Sequence, residues 1–136
     1  MVNSRFSVAI HILSLIATSL DKNQLTSDYI AGSVNTNPVV VRRMIGVLKK
    51  AGLVTSNTGI AGYNLLTEPK DLSLLDIYKA IDGPKQLFAI HEEPNPACSV
   101  GKKIQTTLED VYENVWQAME EQLKAQTLQD VLDQLR

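Results

Sequence analysis

With 136 residues, 44% of them hydrophobic, the chain has the material for one domain with a real core, or for a compact domain carrying an arm. Its net charge of −2 argues, as an average, against a nucleic-acid binder, and its single cysteine, Cys98, excludes an intramolecular disulfide framework. The apolar run from Val8 to Leu20 is broken by His11, Ser14, Thr18 and Ser19, lacks a small-residue cleavage pattern and is too short to span a bilayer, so the expectation is a soluble cytoplasmic protein with no membrane partner, secretion being the alternative.

From Ser4 to Leu20, Phe6, Ala9, Ile10, Leu13, Ile16, Ala17 and Leu20 recur at three- and four-residue steps, which predicts a first one-faced helix. After Asp21-Lys22-Asn23, Thr26 or Ser27 caps a short second helix that turns Tyr29, Ile30 and Val34 inward. Asn35-Thr36-Asn37-Pro38 is a turn and a strong helix start, because Asn37 can cap free NH groups where Pro38 has none to offer. The third helix then runs over 38–51 with Val41, Met44, Ile45 and Leu48 as its buried stripe and Gly52 as its stop.

Leu53 to Ser56 and Tyr63 to Leu66 are predicted strands of a hairpin, closed by Asn57-Thr58-Gly59-Ile60-Ala61-Gly62. Asp71-Leu72-Ser73 caps a fourth helix whose Leu74, Ile77, Tyr78 and Ile81 share a face, and Gly83-Pro84 ends it. Residues 83–97, with Pro94 and Pro96, form a loop. A long helix follows from Ser99 to about Leu123, with Val100, Ile104, Leu108, Val111, Val115 and Met119 on one side, widened by Tyr112, Trp116 and Leu123; Thr127 caps a last short helix. The fold class is therefore mainly α: a winged helix-turn-helix over 1–82 with a two-stranded β-hairpin wing, the loop, and a dimerisation helix plus short terminal helix over 98–136.

Charge is unevenly placed. Through Leu66, six basic side chains stand against Asp21 and Asp28, a net +4; the remainder is net −6. The basic part thus faces a polyanion. Two helices joined by a tight polar turn, the second exposing cations, match the geometry that sets a recognition helix in the major groove of double-stranded DNA. Thr36, Asn37, Val39, Val40, Arg42 and Arg43 are placed there: Arg42 or Arg43 to read guanine, Val39 or Val40 to touch a thymine methyl. Lys49 and Lys50, farther along, suit phosphates, and Asn57 and Thr58 are what the uncharged wing can offer. The competing reading is that the four cations simply solvate an exposed face.

The ordered set Asn37-Pro38-Val39-Val40-Val41-Arg42-Arg43, Leu48-Lys49-Lys50-Ala51-Gly52-Leu53-Val54, Gly59-Ile60-Ala61-Gly62 and Leu74-Leu75-Asp76-Ile77-Tyr78-Lys79-Ala80-Ile81 resembles the Rrf-two (Rrf2) family of regulators, which includes IscR, NsrR and CymR, and within it a YwnA-like subgroup. The resemblance runs nearly end to end. It implies a winged-helix homodimer whose long helix crosses to the partner, and a transcription regulator, often a repressor. Two departures stand out. Cluster-binding members carry three cysteines before the long helix; here Cys98 matches the last, while Glu92 and Gln86 stand at the other two positions, so no cofactor, and in particular no iron–sulfur cluster, is expected. In the wing, Ala61 replaces a usual glycine and a customary basic residue is missing.

Cys98, at a helix start with Lys102 and Lys103 nearby, is a candidate redox sensor; a small apolar residue packed at a domain corner is the alternative. His11 reads as a core or interface histidine, His91 as a loop residue without paired metal-ligand spacing, and Tyr112 and Trp116 as a packing seam rather than a ligand-stacking pair. No nucleophile motif or phosphate-binding glycine loop occurs, so the chain is not expected to be an enzyme. The function expected is sequence-specific DNA binding as a homodimer; the alternative is a winged-helix protein-interaction module that has lost DNA binding.

Overall fold

The computed structural model describes residues 4–56 and 62–136. Its chain divides into two units, one formed by residues 1–83 and 124–136, the other by 84–123.

In the first unit, α1 (Arg5–Thr18) buries Ala9, Ile12, Leu13, Ser14 and Ile16. Ser14 stays satisfied by donating its hydroxyl to the Ile10 carbonyl at 2.7 Å, a local bond that lets a polar side chain share an apolar face. Leu20 corrects the predicted stripe: Ser19 turns extended and ends the helix, leaving Leu20 fully exposed beyond it. A 3₁₀ turn (Lys22–Gln24) leads to α2 (Ser27–Val34), where the Thr26 hydroxyl accepts the Tyr29 NH at 3.1 Å. Asn35, in the left-handed region at φ 65°, ends it. Ile30 and Ala31 are the buried residues of α2, whereas Tyr29 is 51% exposed, against expectation. Tyr29 and Ala31 lie on opposite sides of Ile30, about 160° apart around the helix, so the face that buries Ile30 with Ala31 leaves Tyr29 outside it.

The α3 helix (Pro38–Lys50) begins as its sequence dictates, with the Asn37 Oδ1 accepting the Val39 NH at 2.8 Å and Pro38 in the first turn. Val41, Met44, Ile45 and Leu48 are all buried, and α3 packs on α1 and α2. Gly52, at φ 80°, supplies the left-handed exit that a Cβ would strain. Strands β1 (Val54–Thr55) and β2 (Asn64–Leu65) then pair antiparallel, Val54 opposite Leu65 and Thr55 opposite Asn64. They are shorter than the alternation suggested. Gly62 enters β2 at φ 107° and so close to the turn after α1 that an added Cβ would lie 2.2 Å from the Lys22 carbonyl oxygen.

Two short helices complete this unit, each opened by a reciprocal cap. In α4 (Leu74–Ala80) Ser73 and Asp76 exchange side-chain and backbone bonds; in α6 (Leu128–Gln134) Thr127 and Asp130 do the same. The caps adjoin: Ser73 and Thr127 form an isolated antiparallel bridge, with the Leu74 NH donating to the Gln126 carbonyl and the Leu128 NH to the Leu72 carbonyl, both at 2.8 Å. Leu128 is fully buried and α6 packs on α1.

The second unit holds the loop and most of α5 (Ser99–Ala125), a 27-residue helix with no buried residue. Its loop is tied to the helix start by Asn95, whose carbonyl accepts the Cys98 NH at 3.2 Å and whose Oδ1 accepts the Ala97 NH at 2.9 Å. Gly101 permits this approach, since a Cβ there would meet the Asn95 carbonyl oxygen at 2.3 Å. Farther along, the Phe88 and Tyr112 rings meet at 5.3 Å between centroids, tilted by 51°. Among the described residues, no helix is long and apolar enough to cross a membrane.

Candidate nucleic-acid interface

The turn between α2 and α3 is held by its own backbone. The Asn35 and Thr36 NH groups both donate to the Ala31 carbonyl, at 2.8 and 3.0 Å, so the chain reverses within a few residues and α3 starts at a defined angle. Thr36 is half-buried in this turn, while Asn37 is exposed. The first turn of α3 then presents Val39 and Val40 to solvent, 48% and 40% exposed, an arrangement that core packing does not explain.

Arg42 and Arg43 follow on the exposed face, and Lys49 and Lys50 on its last turn. Among the described residues, no ion pair engages Arg42, Arg43 or Lys50, so their charge is available to an external partner. Lys49 differs: its ammonium donates to the Ser56 hydroxyl at 2.7 Å, tying the end of α3 to the foot of the hairpin. Sequence periodicity placed Lys49 on the outer face but carried no signal for this partner, seven residues on and across the Gly52 turn. Tyr29, turned inward by the sequence reading, instead adds an exposed phenol to the helix that precedes α3. Asn57 and Thr58, the expected wing contacts, lie outside the described residues.

The other singled-out residues belong to other elements of the chain. His11 shares a 2.9 Å hydrogen bond with the Ser33 hydroxyl, joining α1 to α2. Cys98 is exposed immediately before α5, and the backbone NH of Gly101, then that of Val100, hold its thiol below the ordinary value. The alternative of a buried corner residue is therefore not what the fold presents. His91 is exposed in the loop, and no group of three His, Cys, Asp or Glu side chains among the described residues is arranged to hold a metal ion.

A paired helix motif with a capped, cation-bearing second helix and a hairpin after it is a winged-helix arrangement. Residues 2–134 match the Rrf2 family, described as iron-dependent transcriptional regulators. The chain belongs to the Rrf2 family. It is 54% identical over 135 residues, 99% of each chain, to YwnA of Bacillus subtilis (strain 168), a candidate HTH-type transcriptional regulator. A crystal structure of a candidate DNA-binding protein, 48% identical, superposes with a TM-score of 0.75 over 95% of this chain and 99% of that one. CymR, the global cysteine regulator of B. subtilis, shares the fold at 23% identity, with a TM-score of 0.71 over 98% and 96% of the two chains. The Rrf2 family is one of transcriptional regulators rather than of enzymes, and the mainly helical winged fold expected from the sequence is the one the chain adopts.

Proposed function

We propose that this Rrf2 protein is a sequence-specific reader of double-stranded DNA that acts as a homodimer and represses transcription, with α3 in the major groove. The observation that carries the reading is the division of α3: four apolar residues of one face are buried, and the opposite face exposes Val39, Val40, Arg42 and Arg43 immediately after a capped helix start. A helix amino terminus offers free NH groups and partial positive charge to phosphate, and first-turn side chains reach base edges. Arginine can bond guanine through two hydrogen bonds, and valine can pack against a thymine methyl. Lys49, Lys50 and the Tyr29 phenol take phosphates, as do Asn57 and Thr58 from the wing, while Thr36 and Asn37 set the angle of entry.

The homodimer follows from α5. A helix of 27 residues spans about 40 Å, and its exposed Val100, Val111 and Val115 leave an apolar stripe that a second chain can cover. Two α3 helices held about 34 Å apart would meet successive major grooves. In domain terms, residues 1–82 are the reader, 83–97 the loop, and 98–136 the dimerisation helix followed by the short terminal helix, which packs back on α1.

The donor set does not fit an iron–sulfur cluster, although the family is described as iron-dependent: a cluster wants about four protein ligands, and the chain supplies one thiol. Cys98 is instead the route by which oxidant reaches this reader. Its thiolate attacks a peroxide oxygen, the O–O bond breaks, hydroxide leaves and takes a proton from solvent to become water, and a sulfenic acid remains. DNA binding that peroxide abolishes in the parent and spares in Cys98→Ser supports this role; identical behaviour removes it.

The deciding experiment is selection from random duplexes across a salt series. A palindromic consensus with half-sites one helical turn apart, lost from Arg42→Ala and Arg43→Ala by about 10- to 100-fold each, is the expected result. Equal retention of parent and both variants on the selected site would overturn reading by α3, and no enrichment at all would favour a protein-interaction module.

A further inference from the structure

The second unit carries two adjoining open clefts, of about 200 and 510 Å³, which share Gln86, Ile90 and Glu109 as a common wall. The smaller, which carries the aromatic walls, is below the roughly 300–1,000 Å³ typical of small-molecule sites, and the larger, continuous with it through the shared wall, lies within that range. Both lie wholly between the loop and α5.

Their lining is unusual in combining aromatic surface with one sign of charge. Phe88, Tyr112 and Trp116 wall the smaller cleft, with Glu109 and Glu113 beside them. Glu92 and Glu93 add two carboxylates to the larger one, where His91 also stands, and Lys85 is the single lysine or arginine in either lining. The surrounding unit, residues 84–123, carries seven acidic side chains against three basic ones. Packing alone calls for none of this: Phe88 remains 54% exposed although it touches Tyr112, so the aromatic pair is open to a third group.

Aromatic faces attract cations through their quadrupole, and nearby carboxylates add a full opposite charge. An anion would meet four carboxylates here, and a neutral apolar molecule would leave them uncompensated. We propose that the loop and α5 form a binding site for a small organic cation, an amine or quaternary ammonium on an apolar body, received by Phe88, Tyr112 and Trp116 and neutralised by Glu109 and Glu113. This site is independent of the DNA reading and stands or falls separately from it.

Trp116 is the sole tryptophan, so its fluorescence reports the cleft directly. The full chain is titrated with phenyltrimethylammonium, with its uncharged isostere tert-butylbenzene, and with benzoate, each isotherm being repeated by calorimetry. A saturable response to the cation, at least about tenfold tighter than to the isostere and absent for benzoate, is expected. Glu109→Gln combined with Glu113→Gln, both exposed positions that leave the fold intact, should weaken the cation about tenfold and leave the isostere unchanged. Equal affinity for cation and isostere, or a double variant that binds the cation as well as the parent does, overturns the proposal. So does binding that emerges only when the chain is diluted to a monomer, since a second copy would then be the occupant.

Discussion

The unit that carries α3 and the stretch from Pro84 to Leu123 are both rich in apolar residues, yet they dispose of them differently. In the first, Ile12, Leu13, Ile16, Leu25, Ile30 and Leu48 are completely removed from solvent; in the second, the 27-residue α5 has no buried residue at all. Burial of about 25 cal/mol per Å² of apolar surface is the main source of folding free energy. The first unit therefore supplies its own stability, whereas α5 holds apolar surface in reserve for something outside the single chain. Regulators need both behaviours: a rigid platform that fixes the reading helix, and a face whose state depends on what covers it.

The largest effect should come from the platform. Leu48→Ala, at a fully buried position of α3, is expected to cost about 2–5 kcal/mol in a urea titration. Val115→Ala, 41% exposed before mutation, should change unfolding by no more than about 0.5 kcal/mol at protein concentrations where the chain is monomeric. Comparable losses at both sites would erase the contrast between the units. Next in size, Val111→Asp with Val115→Asp should raise the dissociation constant of the proposed homodimer by about 100-fold in sedimentation equilibrium, because a charge placed in an apolar seam would be left unpaired; unchanged self-association would remove α5 from the proposed interface. Gly101→Ala should cost about 1–3 kcal/mol locally, since the new Cβ meets the Asn95 carbonyl oxygen. Amide exchange at Cys98 should then quicken while Leu48 keeps its protection, and uniform quickening would mean that the units do not open separately. Smallest, Ser73→Ala and Thr127→Ala should each lose about 1 kcal/mol. Because the two caps adjoin, their effects should not be additive; strict additivity would mean that the bridge between them contributes nothing.

Much of this fold was legible in the chain because its signals are local. The start of α3 is written in Asn37-Pro38 and its end in Gly52, and the buried stripe Val41, Met44, Ile45 and Leu48 follows from helical period alone. What period cannot supply is the partner across a turn. The sequence turns both Tyr29 and Ile30 inward, and only the placement of α1 and α3 decides which of the two is covered. The bond from Lys49 to Ser56 depends on how tightly the chain reverses after α3, which composition does not encode. The candidate reading face was found from charge placed outside the stripe. The aromatic and acidic cleft was not, since Phe88 and Tyr112 are 24 residues apart in sequence and were read only as loop and seam.

The pairing of residues 72–74 with 126–128 also fixes how the chain is routed. The backbone leaves the first unit at Gly83, traverses the second, and returns at Lys124 to be held by two backbone bonds and the buried Leu128. The second unit is thus an insertion with both ends anchored in the same core. A protease that cuts once in the exposed loop would sever the covalent chain without releasing either piece. The nicked protein should migrate as one species under native conditions and as two only after denaturation, and α6 would serve as a clasp that keeps the arm attached to its reader.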